Sequence, residues 1–349
     1  MSVWIGYKQE GLSVQEENVV YHDVRQTPFN IYGLWNPQMD FHRMPDEVAK
    51  KTSEAVVTHN KSAAGGRVRF RTNSRYVAIR IKHAPYNCGA PGISRQGQLG
   101  VDMYIENDGR DIYHGSFMPP VDMEDGYEGI LYIKEHGMHQ ITLCMPYVKE
   151  IYDVQVGIET GSVLEAHTPY KQENPVVFYG SSITQGVSAS RPGNCYENFI
   201  SRNLDCNYIN FGFAGSAMGE TAIAEYIAEL SMAAFVMDYD HNAPDVEHLK
   251  RTHEQFYKII RAKNSELPIL LLTKPDVGLE EENQARRAVV MKTFLNAREN
   301  GDKHIYFLDG YNLFPENCRK DCTVDGCHPN DLGMYFIAER IAEVLKAVL

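Results

Sequence analysis

The sequence predicts two domains in tandem: an all-β, jelly-roll-like sandwich over residues 1–170, and a three-layer α/β/α domain built on a five-stranded parallel sheet over residues 171–349. Three observations carry this. Apolar residues alternate with period two up to about residue 160, whereas after residue 175 they come as short solid runs separated by helix-length amphipathic segments. The two patterns meet at Thr168-Pro169-Tyr170-Lys171-Gln172-Glu173-Asn174-Pro175, a polar stretch with two prolines that reads as a boundary. At 349 residues the chain exceeds the roughly 250–300 at which a single core stops growing.

In the first half the alternating runs are Arg67 to Arg71, Val77 to Lys82, Gly100 to Ile105, Gly129 to Ile133, His139 to Cys144 and Val154 to Ile158. Turn residues separate them at Thr72-Asn73-Ser74, Asn107-Asp108-Gly109 and Glu135-His136-Gly137. A half-buried antiparallel strand produces this pattern, because successive side chains point to opposite faces. Tyr32, Tyr104, Tyr127 and Tyr132 read as sandwich core and rim rather than as a platform for sugars.

In the second half the strand candidates are Val176 to Tyr179, Tyr208 to Phe211, Ala234 to Asp238, Ile269 to Thr273 and Ile305 to Leu308. Helices are expected at Tyr196 to Asn203, Glu220 to Leu230, Val246 to Lys263, Glu280 to Glu299 and Pro329 to Val348. Strands alternating with helices imply right-handed crossovers and a parallel sheet covered on both faces. Such a sheet binds ligands at the carboxyl ends of its strands. Glu280-Glu281-Glu282 and Arg286-Arg287 read as a solvated helix face.

Composition narrows the function. With 43% hydrophobic and 23% charged residues the chain is ordinary globular protein, and no run reaches the ~18–20 apolar residues of a membrane span. A net charge of −12 repels phosphate backbones, which excludes nucleic acid and anionic membrane surfaces as partners. Met1 to Glu10 lacks the basic and apolar regions of a secretory signal, so a cytoplasmic location is expected. Seven cysteines, an odd number in a chain this size, favour reduced thiols. Cys318, Cys322 and Cys327 followed by His328 raise a zinc site, but their spacing departs from the paired two-residue gaps of structural zinc, and half-buried thiols are the expectation.

Four segments carry chemistry, each at a strand end or helix start. Gly180-Ser181-Ser182-Ile183-Thr184-Gln185-Gly186 places a serine at a strand-to-helix turn, where a helix N-terminus favours developing negative charge; the segment reads equally as a Ser/Thr cap. In Asn210-Phe211-Gly212-Phe213-Ala214-Gly215-Ser216, Gly215 offers a bare backbone N–H, or the stretch is a plain glycine-rich loop. Asp238-Tyr239-Asp240-His241-Asn242-Ala243-Pro244 supplies a side-chain amide at Asn242, or a turn former. Asp325-Gly326-Cys327-His328-Pro329 supplies a base and a carboxylate from one tight turn, as serine nucleophiles require, or a helix cap.

The four segments in this order resemble the SGNH, or GDSL-type, hydrolase superfamily. The resemblance implies a flavodoxin-like sheet, Ser182 as nucleophile, His328 as base and Asp325 as its orienting carboxylate. It also implies an oxyanion hole from the Ser182 N–H, Gly215 and Asn242, an acyl-enzyme pathway with no metal or organic cofactor, and a small-molecule or carbohydrate ester as substrate, with acetyl on a sugar expected. Two positions depart from the family pattern. Ser181 stands where an Asp usually precedes the nucleophile, and Asp240-His241-Asn242-Ala243 stands for Gly-x-Asn-Asp. Through Gly100-Val101-Asp102-Met103-Tyr104 the first half resembles the GxDLY-type β-sandwich that precedes the hydrolase domain in one bacterial branch.

Two other readings compete. Asp238, Asp240 and His241 with Asp325 and His328 prompt a metal-dependent phosphoesterase, which usually draws more ligands from several strand ends. The departures at Ser181 and Asp240-His241 prompt a catalytically inactive glycan-binding protein. An α/β-hydrolase is excluded, because Thr184 occupies the last glycine of its Gly-x-Ser-x-Gly elbow. Arg191-Pro192-Gly193 reads as a substrate contact or as a surface turn, and the oligomeric state is left open by the sequence.

Overall fold

The computed structural model describes residues 14, 16–86, 92–278 and 280–349. The Met1 to Glu10 segment read above for a targeting signal lies outside the described residues. Strands β1 (Val19–Asp23), β2 (Asn30–Tyr32), β3 (Arg67–Thr72), β4 (Tyr76–His83), β5 (Val101–Asn107), β6 (Arg110–Phe117), β7 (Gly126–Tyr132), β8 (His139–Cys144), β9 (Ile151–Glu159) and β10 (Leu164–Glu165) build the first half. They pair antiparallel in two sheets, β1-β9-β4-β7 and β10-β3-β8-β5-β6, with β2 on the free side of β3. Alternate residues fill the space between them: Val77, Ile79, Ile81, Val154 and Val156 from one sheet, Val68, Phe70, Val101, Met103, Ile141 and Leu143 from the other. Asp108 and Gly109 both take positive φ, 50° and 75°, so the β5–β6 hairpin turns tightly with the twist its strands need.

The first half is not purely strand. Helices α1 (Asp46–Thr52), α2 (Glu54–Asn60) and α3 (Arg95–Leu99) interrupt it. Each is only five to seven residues long, too short to register as a helical period. Local caps hold two of them: the Ser53 side chain accepts from Val56 N–H, and Ser94 from Gly97 N–H. Met44, Ala49 and Val56 pack in a core of the second half, so α1 and α2 belong to that half by contact.

Strands β11 (Gln172–Gly180), β12 (Cys206–Gly212), β13 (Ala234–Asp238), β14 (Ile269–Leu272) and β15 (Ile305–Leu308) form the five-stranded parallel sheet, ordered β12-β11-β13-β14-β15. In order of appearance this is 2-1-3-4-5, the flavodoxin-like arrangement. Helices α4 (Ser182–Gln185), α5 (Tyr196–Leu204), α6 (Thr221–Ala228), α7 (Val246–Lys263), α8 (Glu281–Glu299) and α9 (Asp331–Lys346) connect and follow the strands. Ile223, Leu249, Phe256 and Val290 from α6, α7 and α8 cover one face; Ile200, Ile337 and Ile341 from α5 and α9 cover the other. Every residue of β13 and β14 is buried, which is why these strands read as solid apolar runs. Each fully buried Leu, Ile or Val contributes on the order of 1.5–3 kcal/mol.

The outer edge of β12 is closed without a further strand. Its outward carbonyls accept from two buried arginines of the first half: Tyr208 O from Arg67 Nη1 at 3.1 Å, and Asn210 O and Gly212 O from Arg43 Nη1 at 3.3 and 2.5 Å. An edge strand left open is a template for pairing with another chain, and the guanidinium groups remove it. The junction between the halves is packed too. His167 and Tyr170 are buried, Arg69 lies 3.8 Å over the Tyr170 ring, and β11 already begins at Gln172. Among the described residues no helix is long and apolar enough to cross a membrane.

Candidate active site

The order 2-1-3-4-5 opens a crevice between the carboxyl ends of β11 and β13, where the chain reverses direction across the sheet. Gly180 and Asp238 are register partners there. Ser182 follows the first and Asn242 the second. Ser182 is the first residue of α4, and Ser181 before it caps the helix, its hydroxyl accepting from Ile183 N–H at 3.1 Å. Ser181 N–H donates to Asp238 O at 3.1 Å, and Thr184 Oγ1 donates to Asp238 Oδ2 at 3.2 Å. The turn is therefore braced by a serine cap and by Asp238, with no carboxylate needed at position 181. Gly186 ends α4 at φ 104°, and a Cβ there would meet Cys195 Sγ.

His328 reaches this turn from the loop before α9. Thr323 and Pro329 pair as an isolated bridge, Val324 N–H donates to His328 O, and Asn330 caps α9 by accepting from Leu332 and Gly333 N–H. His328 Nε2 lies 3.0 Å from Ser182 Oγ, and His328 Nδ1 lies 2.7 Å from Asp325 Oδ2. The other carboxylate oxygen, Asp325 Oδ1, accepts from the N–H groups of His328 at 2.7 Å and Cys327 at 3.0 Å. Partial burial works to raise the Asp325 pKa, but the backbone and imidazole donors of His328 and the Cys327 N–H outweigh it and hold the carboxyl below its ordinary value. Ser182 is 8% exposed, recessed yet reachable.

The two other loops close on the same point. Phe213 N–H donates to Gly180 O, Ala214 N–H to Gln185 Oε1 at 2.9 Å, and Asn242 Nδ2 to Phe213 O at 3.1 Å. Gly215 sits in the left-handed region at φ 67°, where a side chain is strained. Among the described residues neither the Ser182 N–H nor the Gly215 N–H meets an acceptor. The fold thus gathers Ser182, Gly215, Asn242, Asp325 and His328, all expected from the sequence, at one rim.

Several supports of this rim were not legible beforehand. Arg286, expected on a solvated face, is buried at 6% exposure; it donates to Asp240 O at 2.6 Å and Ala243 O at 2.8 Å while keeping its Glu282 pair. The reason is that α8 buries Val289, Val290 and Thr293, which turns Arg286 under the loop carrying Asn242. Arg191-Pro192-Gly193 is not a free surface turn but is held by the sandwich. Buried Asp102 accepts from Arg191 Nη1 at 2.9 Å and Gly193 N–H at 2.7 Å, and Arg191 also donates to Tyr104 OH at 2.7 Å. Asp102 and Tyr104 are the third and fifth residues of the Gly100 to Tyr104 motif, so that motif clamps the segment following the nucleophile helix. The same segment is tied to the histidine side by Asp331, which accepts from Ser190 and Asn194. The sandwich also borders the rim directly: Ser94 Oγ donates to Ser190 O, and a Cβ on Gly92 would lie 3.7 Å from both Ser188 and Val324.

The residues suspected of holding metal divide. Cys322 Sγ donates to Cys318 O and His328 is engaged with Ser182 and Asp325, so the cysteines and histidine do not converge as a zinc site. Asp238, Asp240 and His241 do come together, with one ligand atom from each within 4.8 Å of the others. Burial and the neighbouring Asp240 push the Asp238 carboxyl up to about 8, against the Thr184 hydroxyl bond.

A serine, imidazole and carboxylate in line at the carboxyl edge of a 2-1-3-4-5 sheet, behind a β-sandwich, define a class of two-domain SGNH-type carboxylic ester hydrolases. The chain belongs to the GDSL-like lipase/acylhydrolase family, which it matches over residues 173–346; residues 19–164 match the N-terminus of the SGNH-hydrolase-type esterases. Solved structures agree along nearly the whole length. A GDSL-like lipase from Bacteroides ovatus ATCC 8483 is 25% identical with a TM-score of 0.84, covering 95% of this chain and 98% of that one. The salicylyl-acyltransferase SsfX3 of a tetracycline biosynthetic pathway is 20% identical with a TM-score of 0.79, covering 96% and 99%. The acetyl xylan esterase Est2A of the rumen bacterium Butyrivibrio proteoclasticus is 12% identical with a TM-score of 0.60, covering 94% and 98%. No curated protein matches the chain.

Proposed function

We propose that the protein hydrolyses carboxylic esters through an acyl-enzyme on Ser182, and that its substrate is a short acyl group, acetyl first, on a carbohydrate or small-molecule alcohol. The observation that carries the reading is the unbroken relay from Ser182 Oγ through His328 to Asp325, at 3.0 and 2.7 Å. His328 Nε2 takes the Ser182 proton as Oγ attacks the ester carbonyl; Asp325 holds the Nδ1–H tautomer and stabilises the imidazolium. The oxyanion is met by the Ser182 and Gly215 N–H groups and the Asn242 amide, each worth on the order of 3 kcal/mol in the transition state. Collapse expels the alcohol, which leaves with the proton from His328. Water, deprotonated by the same imidazole, then releases the acid and restores Ser182.

The sugar acetate rests on likeness to esterases of carbohydrate, of which Est2A acts on acetyl xylan by its description. SsfX3 is described as an acyltransferase, so an alcohol taking the place of water in the second half-reaction is the nearest variant. The phosphoesterase reading loses two ligands, since His328 and Asp325 are bonded to each other and to Ser182. Retention of every group in the relay weighs against an inactive glycan binder.

A serine-directed phosphonate probe followed by peptide mapping tests the proposal. Labelling is expected at Ser182, abolished in Ser182→Ala and strongly slowed in His328→Ala. Labelling elsewhere, or at the same rate without His328, overturns it. Release of acetate from acetylated xylo-oligosaccharides, set beside a series of 4-nitrophenyl esters of rising chain length, tests the substrate class.

A further inference from the structure

Asp238 and Asp240 are 1% and 3% exposed, and their hydrogen bonds leave a gap of one chemical kind. Asp238 Oδ2 accepts from Thr184 Oγ1. Asp240 accepts from Lys274 N–H at 3.2 Å, and Asp240 Oδ1 lies 3.2 Å from His241 Nδ1. That leaves Asp238 Oδ1 and His241 Nε2, both buried, with no partner. With its Nδ1–H given to Asp240, the imidazole carries a lone pair on Nε2, and Asp238 Oδ1 is a second acceptor whenever its carboxyl has given up its proton. In that state two acceptors cannot satisfy each other, and an ion that accepts electron pairs satisfies both by taking the place of the Asp238 proton. A carboxylate behind the far nitrogen is also the arrangement that sets the tautomer of a metal-binding histidine.

We propose that Asp238, Asp240 and His241 bind one divalent cation of the Zn²⁺ or Mn²⁺ type, with Asp238 Oδ1 and His241 Nε2 as donors. Carboxylate oxygens with one imidazole suit these ions better than Ca²⁺, which takes oxygen alone, or Cu⁺, which prefers sulfur. The ion takes the place of the Asp238 proton, balances the Asp240 charge and ties the end of β13 to the loop that carries Asn242, whose carbonyls at Asp240 and Ala243 are held from behind by Arg286. Its role is positional, and no bond of the ester reaction passes through it. The inference goes beyond the esterase reading and stands or falls separately from it.

The full-length protein, stripped by chelation, is titrated with Zn²⁺ and in parallel with Mn²⁺ by equilibrium dialysis and elemental analysis. One saturable equivalent per chain and a rise in melting temperature are expected. Asp238→Asn and His241→Ala should each weaken binding by about 10-fold or more, whereas Cys327→Ser, which removes the thiol of the residue preceding His328, should not. His241 lies at the end of the cluster and is the variant expected to keep its far-UV spectrum. Absence of saturable binding, binding indifferent to His241→Ala, or binding lost in Cys327→Ser overturns the proposal. Probe labelling of Ser182 in the stripped protein is read in the same samples, so an empty cation site and a failed serine relay give different results.

Discussion

Asn242 donates one amide N–H to the Phe213 carbonyl at 3.1 Å, and in the proposed mechanism its second meets the oxyanion. Its segment departs from the family pattern at two of four positions, Asp240 and Ala243, so the sequence could mark the residue only by type and order; the bond to Phe213 is what brings it to the loop of Gly215. Asn242→Ala is expected to lower kcat by about 10²- to 10³-fold with little change in KM, because the lost donor acts on the oxyanion and not on the ground-state ester. Steady-state kinetics on 4-nitrophenyl acetate checks this, and a selective rise in KM would assign Asn242 to ground-state binding. Arg286 shows the opposite case. Its Glu282 partner four residues earlier gave every sign of a surface pair, and the sequence offered no signal that its remaining nitrogen, Nη1, reaches both Asp240 O and Ala243 O. Arg286→Met leaves two carbonyls short of donors and should destabilise the fold by about 2 kcal/mol, read by urea denaturation, while lowering kcat through the Asn242 loop.

At the scale of elements, the solid apolar runs of β11 to β15 and the helices between them were legible because burial on both faces writes itself into consecutive residues. The span Val246–Lys263 of α7 and the strands Ala234–Asp238 and Ile305–Leu308 coincide with their expected bounds. Helices α1 and α2 were not legible, since neither is long enough to show a period and their apolar residues serve a core formed by distant α6 and α7. The Gly100 to Tyr104 motif was visible as a resemblance, but its purpose lay in a partner about ninety residues away. Removing the charge of Asp102 would leave the Arg191 guanidinium without its counter-ion beneath the rim. Asp102→Asn is accordingly expected to cost about 3 kcal/mol of stability and to slow labelling of Ser182 by the phosphonate probe. A loss below about 1 kcal/mol, the range of an exposed pair, would show that the clamp is peripheral.

For the whole molecule, imidazoles that the fold keeps neutral are groups whose contribution to stability is lost in acid, with buried Asp238, held up to about 8, sloping the opposite way. Burial lowers His253 to about 4, with Asp240 and Glu254 opposing, and lowers His59 and His167 to about 4 with the help of Arg43 and Arg69 respectively. Between roughly pH 6.5 and 4 the unfolded chain binds protons at these sites that the folded chain refuses, so the stability these three groups contribute is full above this window and is lost as pH is lowered through it. For fully buried His253, bonded to Thr293 Oγ1 and stacked on Tyr239, the loss amounts to ~3 kcal/mol across the window. Denaturation midpoints measured for wild type and His253→Gln from pH 7.5 to 4.5 should show the wild type losing stability relative to the variant as pH falls; a constant difference would place the proton uptake elsewhere. The sequence by itself determined the order of sandwich and parallel sheet, because hydrophobic period is a local property, and it named the five candidate residues of the rim by strand-end position together with a family resemblance. The tertiary structure decided what holds that rim in place: the Asp102–Arg191 clamp, Arg43 and Arg67 on the edge of β12, Arg286 under the Asn242 loop, and the unpaired acceptors of Asp238 and His241. Each of these depends on groups far apart in the chain meeting with matched charge and hydrogen-bonding sense, and no residue announces its distant partner.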